Sequence, residues 1–390
     1  MFAGMERAVL IMRIFFSVLM VLILMLSTGG CAAETGTGGS KTSDIIDPDQ
    51  TGSIPAAASG PAAWPTSAWS TSSAQQQGLD PEMLDAADKK IKENYPNVYS
   101  LLVVRHGYLV FEKYYQGMDK NDANPVYSVT KSVMSALTGI ALRDGLIAGT
   151  DQKFSEFYPE YFTQIDDPRK KDITIQNVLT MTGGLESIDS DYYSYFTSSD
   201  YLDYVLQKPL TDIPGNTFVY NTGLTNFLSA IISRTSGMNT KDYADKYLFS
   251  KIGISVDTWD CDNHGNTIGG TGISMKPTDM AKFGYLYLNN GLWDRNQIIP
   301  ANWIEESTQK HISANKTEDY GYLFWLLTIQ DKTNNKEYDS YRASGMGGQY
   351  IMEIPDLDMV IVVTATGDSS SKDGSDTMSI ITDYVIPSAE

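Results

Sequence analysis

The sequence predicts an α+β protein in which an antiparallel sheet, built from the two ends of the chain, is flanked by helices and interrupted by an inserted, mainly helical lobe. Two runs rich in β-branched and aromatic residues, 100–104 and 108–111, flank a His-Gly turn and indicate a hairpin. Further strand-like runs come only after residue 320, and helical signals dominate the chain in between. This order favours α+β, and we expect a functional site in the cleft between sheet and lobe.

The individual helices are recognised by apolar residues at three- and four-residue spacing and by their end signals. The first helix follows Asp80, an N-cap residue, with Pro81 at its first position. Helices are predicted over residues 81–91, 224–234, 241–249, 277–289, 300–308 and 377–385, and strands over residues 100–104, 108–111, 320–327, 350–354 and 359–365.

The N-terminal segment has the pattern of an export signal. Arg7 and Arg13 precede a short apolar run, and small residues lead up to Cys31. The arrangement resembles a bacterial lipoprotein signal, although Thr28 stands where such signals prefer a large aliphatic residue. We expect residues 1–30 to be a lipoprotein-type signal peptide, and the exported chain to be anchored by lipid on the extracytoplasmic face of the cell membrane, through Cys31. Ordinary secretion and an uncleaved anchor are the alternatives.

The segment after the signal has a composition typical of linkers. Residues 31–77 are rich in Gly, Ser, Thr, Ala and Pro. Such a segment cannot bury enough apolar surface to offset the entropy lost on ordering it. We therefore expect the lipidated Cys31 to be followed by a disordered linker, and a single folded domain to occupy residues 78–390.

Charge and cysteine content argue against several classes of function. The formal net charge of −19 opposes binding to nucleic acid. The two cysteines, Cys31 and Cys261, offer neither a disulfide framework nor zinc-site spacing, and the sequence has no phosphate-binding loop. We therefore expect no cofactor and no metal, and the sequence leaves the oligomeric state open.

Ser128 and Lys131 form a Ser-x-x-Lys motif at the start of an apolar helical segment. Residues three apart share a helix face, so the lysine lies beside the serine. The helix N-terminus favours a developing oxyanion, and burial lets a lysine act as a base. An N-capping serine with a surface lysine is the alternative. Less suitable copies of the motif occur at Ser307 to Lys310, Ser313 to Lys316 and Ser369 to Lys372.

Two further segments follow this motif in order. They are Tyr-Asn-Thr at 220–222, before a helix, and Ala-Ser-Gly-Met-Gly-Gly-Gln at 343–349, before a strand. With the Ser-x-x-Lys motif they resemble the serine β-lactamase and penicillin-binding peptidase superfamily over about residues 78–388. Within it, the resemblance is to the class C β-lactamases, the related esterases and the 6-aminohexanoate-dimer hydrolases. It implies a β-lactamase-like fold and a serine hydrolase that works through an acyl-enzyme.

The resemblance also assigns roles to individual residues. It makes Ser128 the acylated nucleophile, Lys131 its proton-relay partner and Tyr220 the residue that passes protons to the leaving group. It also implies that the backbone N–H groups of Met346 and Ser128 form the oxyanion hole. Backbone donors suit this role because they are held rigidly and need no particular side chain. The substrate-binding positions that it implies are Thr222, Ser344, Gly345 and Gly347.

One position departs from the pattern of β-lactamases and penicillin-binding peptidases. Those proteins carry a basic residue that helps to hold the substrate carboxylate, and Ala343 stands at this position here. Arg342 is one position away and, on a strand, points to the other face. We therefore expect a small-molecule ester or amide, or a peptide-like substrate, without that carboxylate. A D,D-peptidase or β-lactamase acting on cell-wall-like substrates is one alternative, and a penicillin-binding sensor without turnover is another.

The remaining polar candidates have simpler interpretations. A Ser-His-Asp triad is not expected, because His106 falls in a hairpin turn and His264 and His311 fall in polar stretches. The acidic stretch 189–191 is assigned to a solvated loop. Aromatic residues near it, Tyr192 among them, either line the cleft or are ordinary surface and core residues.

Overall fold

The computed structural model describes residues 64–262, 264–367 and 376–389. The described strands are β1 (Val98–Arg105), β2 (Tyr108–Tyr114), β3 (Asn124–Pro125), β4 (Ser274–Met275), β5 (Leu292–Trp293), β6 (Asn296–Gln297), β7 (Ile312–Ser313), β8 (Asp319–Tyr320), β9 (Trp325–Asp331), β10 (Lys336–Gly345), β11 (Gln349–Ile354) and β12 (Met359–Ala365). Eight of them form one sheet in the order β2-β1-β12-β11-β10-β9-β8-β7.

Strands from the two ends of the chain meet inside this sheet. β1 pairs antiparallel with β12, so that Leu102 stands opposite Val362. β12 is buried along its whole length, which matches its apolar sequence. The predicted α+β fold, with an antiparallel sheet built from both chain ends, is confirmed.

Helices flank the sheet on both faces. They are α1 (Pro81–Asn94), α2 (Val129–Arg143), α3 (Phe154–Phe157), α4 (Ile175–Leu179), α5 (Tyr192–Thr197), α6 (Tyr201–Leu206), α7 (Asn226–Ser236), α8 (Thr240–Tyr247), α9 (Pro277–Leu288), α10 (Ala301–Ser307) and α11 (Met378–Ile380). α9 packs on β11 and β12 in the core cluster that contains Leu102, and α1 belongs to a second cluster that contains Leu101. Neighbouring residues of a strand point to opposite faces, so the two clusters lie on opposite sides of the sheet.

Helix α2 joins the sheet to the helical lobe. It packs against β10 and β11 on one side and α7 on the other. Because it is surrounded in this way, its residues from Val129 to Ala141 are all buried. The N-terminus of α2 therefore lies where sheet and lobe meet, which is the expected position of a site.

Two details of the strand prediction need correction. The run 320–327 is broken, because β8 ends at Tyr320 and β9 begins at Trp325, and Leu323 between them has a φ of 63°. β10 was absent from the predicted strands, since its sequence is largely polar. Several of its residues between Lys336 and Tyr341 are exposed, so an apolar run is not needed there.

Residues 64–77 lie against the domain, so the expected linker does not extend to residue 77. The Trp64 ring packs against Trp293 at a tilt of 44°, with 5.2 Å between the ring centroids, and the Trp293 indole N–H donates to Thr66 Oγ1 at 2.7 Å. The Ser70 carbonyl accepts a hydrogen bond from the backbone of β2 at 2.9 Å. Two tryptophans within this Ser-, Thr- and Gln-rich segment supply the apolar surface that anchors it.

The predicted signal peptide and Cys31 lie outside the described residues. The expectations of export and lipidation therefore remain predictions. Within the described part of the chain, no helix combines the length and the apolar character that crossing a membrane requires.

Candidate active site

The start of helix α2 positions Ser128. This residue is the N-cap of the helix, and the preceding Tyr127 has a left-handed backbone with a φ of 49°. That conformation costs a non-glycine residue about 1–2 kcal/mol, so it persists only where the surroundings enforce it. The turn leaves Ser128 half-buried at the positive end of the helix.

Lys131 lies one helical turn beyond Ser128 and is only 1% exposed. Its Nζ atom donates to Ser128 Oγ at 2.9 Å, to the Gly270 carbonyl at 2.8 Å and to Thr222 Oγ1 at 3.2 Å. A Cβ at position 270 would lie 2.3 Å from the Thr222 carbonyl, so glycine permits this close approach. The structure thus brings Ser128 and Lys131 together and places the lysine inside the protein, not on its surface.

Burial lowers the pKa of Lys131 from 10.5 to about 7, and the negative charge of Asp189 opposes part of this shift. The ammonium form is penalised because surrounding water has been removed. Near neutral pH, a large share of the side chain is therefore the free amine. The lone pair of that amine can accept the Ser128 proton across the 2.9 Å that separates the two atoms.

Tyr220 completes the group around Ser128. Its side chain is hydrogen-bonded to Ser128, and its ring centroid lies 4.8 Å from Lys131 Nζ. The ring stacks on Trp325 of β9, with centroids 5.9 Å apart. Burial is the largest cause of the raised pKa of Tyr220, which the hydrogen bond to Ser128 partly offsets. The residue is therefore a neutral phenol near pH 7 and can give up a proton only to a strong base such as a departing anion.

Thr222 and Asp189 extend the site into the lobe. The Thr222 backbone N–H donates to Asp189 Oδ2 at 3.1 Å, and Tyr192 Oη donates to Asp189 Oδ1 at 2.5 Å. Sequence reasoning missed this carboxylate, since stretch 189–191 was assigned to a solvated loop. The structure corrects that assignment for Asp189, because this residue is only partly exposed and its charge acts on Lys131. The alternative that Tyr192 lines the cleft is the one that its contacts favour.

The backbone of Met346 lies in the turn between β10 and β11. The preceding Gly345 approaches the chain just before Ser128 so closely that a Cβ would lie 2.3 Å from the Val126 carbonyl. Gly347 has a φ of 85°, and a Cβ there would lie 1.8 Å from the Thr366 carbonyl. Both glycines are thus needed to seat this turn beside Ser128. Met346 itself is 43% exposed.

The position that relatives fill with a basic residue carries none. Ala343 is buried, and Ser344 beside it is partly exposed. The guanidinium of Arg342 pairs with Glu318; burial would raise the pKa of this carboxyl, and the pairing holds it below its usual value. The same guanidinium lies over the Trp325 ring, 5.9 Å from its centroid. Arg342 therefore has a carboxylate partner within the protein.

The other Ser-x-x-Lys copies do not form a comparable pair. Ser307 is buried and donates to a carbonyl of its own helix, while Lys310 bridges to Asp319 at 3.0 Å. Ser313 is exposed and also bonds to Asp319. Ser369 and its lysine lie outside the described residues.

The histidines contact other parts of the molecule. His106 Nδ1 lies 3.0 Å from Gln77 Oε1, and His311 stacks on Tyr322 with ring centroids 3.9 Å apart. The backbone N–H of His264 donates to its neighbour Asp262. In the described ranges, no group of three His, Cys, Asp or Glu side chains is arranged to hold a metal ion.

Comparisons with known proteins identify the family. The sequence profile described as Beta-lactamase matches residues 93–382. The chain is 23% identical over 306 residues to the 6-aminohexanoate-dimer hydrolase of Paenarthrobacter ureafaciens, which covers 70% of this chain and 74% of the relative.

Solved structures extend the likeness to the fold. One is EstCE1, a hydrolase with promiscuous acyltransferase activity, with a TM-score of 0.67 and 15% identity over 82% of this chain and 100% of that one. Another is the octameric penicillin-binding protein homologue from Pyrococcus abyssi, with a TM-score of 0.61 and 17% identity over 78% of this chain and 76% of that one. The superfamily expected from the three motifs is thereby confirmed: the chain belongs to the Beta-lactamase family and is a hydrolase with the β-lactamase fold.

Proposed function

We propose that this protein is a serine hydrolase that cleaves ester or amide bonds through an acyl-enzyme on Ser128. The observation that carries the proposal is the contact of 2.9 Å between Ser128 Oγ and the buried amine of Lys131. A serine hydroxyl is a weak nucleophile until a neighbouring base takes its proton. A lysine whose pKa is lowered to about 7 supplies such a base at neutral pH.

Acylation begins with proton transfer from Ser128 Oγ to Lys131 Nζ. The oxygen then forms a bond to the substrate carbonyl carbon, and the π electrons of the carbonyl move onto its oxygen. The backbone N–H groups of Ser128 and Met346 hold this oxyanion, helped by the N-terminus of α2. When the tetrahedral intermediate collapses, the bond to the leaving group breaks and Tyr220 protonates that group. Lys131 returns a proton to Tyr220, so the site regains its starting protonation.

Deacylation repeats the same steps with water as the nucleophile. Lys131 takes a proton from the water, whose oxygen attacks the acyl carbon. The bond between this carbon and Ser128 Oγ then breaks with its electron pair on Oγ, and the proton that Lys131 took from water passes to that oxygen. The reaction yields a carboxylic acid and an alcohol or amine, with no other reactant than water.

The substrate proposal is an ester or amide without a carboxylate at the position where penicillins carry one. Arg342 is already paired with Glu318, and Ala343 offers no charge. A substrate carboxylate there would have to compete with Glu318 for the guanidinium. One relative is named a 6-aminohexanoate-dimer hydrolase, so this dimer belongs in the panel of substrates to be tested.

A pulse experiment tests the proposed function. The enzyme is mixed with p-nitrophenyl esters of increasing acyl length or with the 6-aminohexanoate dimer, quenched in acid, and weighed by intact-protein mass spectrometry. Turnover together with a transient mass increase equal to the acyl group supports the proposal. A permanent acyl adduct without turnover favours a penicillin-binding sensor. Absence of both adduct and turnover across the panel contradicts the proposal.

We also propose that the protein is exported and held at the membrane through Cys31. The support is the order of features in the sequence: Arg7 and Arg13, an apolar run, small residues and then the cysteine. A hydrolase anchored in this way acts on small-molecule or peptide-like substrates outside the cytoplasm.

A further inference from the structure

Asp189 occupies a fixed place beside the proposed catalytic group. It lies in the short 3-10 turn Ile188–Ser190, whose N-cap residue is Ser187. The Asp189 Oδ2 atom accepts from Ser187 Oγ at 3.0 Å, and the Asp189 backbone N–H donates to the same Ser187 Oγ at 3.1 Å. These reciprocal bonds hold the carboxylate in one orientation.

The carboxylate in turn holds two residues of the lobe. It accepts from the Thr222 backbone N–H at 3.1 Å and from Tyr192 Oη at 2.5 Å. Tyr192 Oη also lies 3.4 Å from Thr222 Oγ1. Asp189 therefore fixes the backbone of Thr222 directly and approaches its hydroxyl through Tyr192.

Thr222 connects this arrangement to the nucleophile. Its Oγ1 atom lies 3.2 Å from Lys131 Nζ, which in turn lies 2.9 Å from Ser128 Oγ. A continuous chain of polar contacts thus runs from Asp189 through Tyr192, Thr222 and Lys131 to Ser128. Thr222 is 2% exposed and Lys131 is 1% exposed, so water does not compete freely along the inner part of the chain.

We propose that Asp189 is a positioning residue of this active site, whose carboxylate keeps the Thr222 hydroxyl against Lys131 and sets a negative charge facing the lysine amine. The inference rests on the proposed serine hydrolase activity and adds a residue to it. Asp189 acts through Thr222 and Tyr192 and through its charge, and it does not touch the reacting atoms.

The charge gives this role a measurable signature. The groups that face Lys131 from the surrounding elements are Ser128, Tyr220, Thr222, the Gly270 carbonyl, and Tyr192 with Asp189 behind them. Among them Asp189 is the carboxylate whose charge favours the ammonium form and raises the pKa of Lys131 against the effect of burial. Removing the charge therefore lowers that pKa further.

The pH dependence of the activity must follow the pKa of Lys131, because the reaction needs this side chain as the free amine. In the wild type, kcat/KM should rise with pH through about 7, as Lys131 loses its proton. In Asp189→Asn the midpoint of this rise should fall by about one pH unit, which is the usual effect of removing one opposite charge. The plateau of kcat/KM should also fall about tenfold, because Thr222 and Lys131 are held less well.

The experiment compares Asp189→Asn with Tyr192→Phe and Asp191→Asn. Tyr192→Phe keeps the charge and removes one hydrogen bond, so it should lower the plateau without moving the midpoint. Asp191→Asn makes the same change of charge two residues away, at the N-cap of α5, where asparagine also caps well. It should match the wild type in both respects. Circular dichroism and thermal unfolding verify that each variant is folded.

The outcomes separate this inference from the proposed function. If the wild type neither turns over nor forms an acyl adduct, the proposed function fails. If the wild type is active and Asp189→Asn shifts the midpoint as described, the inference is supported. An unchanged midpoint in folded Asp189→Asn overturns it, whether or not the plateau falls, since a purely structural role would leave the midpoint in place. Should Asp189→Asn not fold, Asp189→Glu takes its place: it keeps the charge and must keep the midpoint, and a shifted midpoint would overturn the inference.

Discussion

Replacing Lys131 with methionine should alter how the stability of the protein depends on pH. The pKa of Lys131 is about 7 in the folded protein and 10.5 for an ordinary lysine. Between these values, the unfolded chain binds more protons than the folded protein does. The free energy of unfolding of the wild type therefore rises with pH across this window, by up to about 1.4 kcal/mol per pH unit. Methionine binds no proton, so the variant lacks this contribution.

The size of the effect follows from the two pKa values. The penalty for burying Lys131 is complete below about pH 7 and disappears above about pH 10. Between pH 7 and pH 9, the wild type should gain about 2 kcal/mol of unfolding free energy that Lys131→Met does not gain. The variant also loses the hydrogen bonds that Lys131 Nζ makes to Ser128, Thr222 and Gly270. This loss changes the unfolding free energy by the same amount at both pH values, so it cancels when the change with pH is compared between the two proteins.

Urea unfolding at pH 7 and pH 9 measures this gain directly. Lys310→Met is the matched control, because it removes an exposed lysine that belongs to another Ser-x-x-Lys motif, and it should reproduce the wild-type change with pH. If Lys131→Met gains as much stability as the wild type to within about 0.5 kcal/mol, Lys131 is not a low-pKa amine. The proposed mechanism would then have lost its base.

Three further predictions concern the chemistry, the substrate and the location. Tyr220→Phe keeps the stacking on Trp325 but removes the proton donor, so kcat/KM should fall about 10²–10⁴-fold at nearly unchanged stability. The control Ser313→Ala changes an exposed serine and should stay within about twofold of the wild type. Equal rates for the wild type and both variants would remove Tyr220 from the mechanism. Short-chain p-nitrophenyl esters should give a higher kcat/KM than any cephalosporin, and the opposite order would refute the argument from Ala343. Metabolic labelling with a palmitate analogue should tag the wild type and not Cys31→Ala, and equal labelling of both would exclude a lipid anchor at this residue.

Local features of the site were predictable from the sequence. Ser128 and Lys131 are three residues apart at the start of an apolar helix, and this spacing within a buried helix predicted their contact. Tyr220 and Met346 were predicted only through the family resemblance that the ordered motifs carry. Spacing could not predict them, because their proximity to Ser128 depends on the tertiary fold. The motif glycines Gly345 and Gly347 were expected at the site, and the structure adds the physical reason: each lies where a side chain would collide with neighbouring backbone.

Contacts between distant segments were not predictable in the same way. Asp189 stands in an acidic, polar stretch, and nothing near it in the sequence indicates that Thr222 and Tyr192 enclose it. Residues 64–77 were assigned to a linker from their average composition, although Trp64 and Trp69 carried a signal that this average concealed. Helix α2 was recognised because its apolar side chains form a long run, whereas β10 was overlooked because much of it faces solvent.

Covalent labelling tests the central claim, that Ser128 is the nucleophile, most directly. The wild type and Ser128→Ala are incubated with a fluorophosphonate probe, and the labelled peptide is mapped by mass spectrometry, with thermal unfolding to verify that the variant is folded. The account predicts one labelled residue, Ser128, in the wild type, and neither label nor ester turnover in Ser128→Ala. A folded Ser128→Ala that still takes up the probe on another residue, or still hydrolyses esters at the wild-type rate, would contradict it.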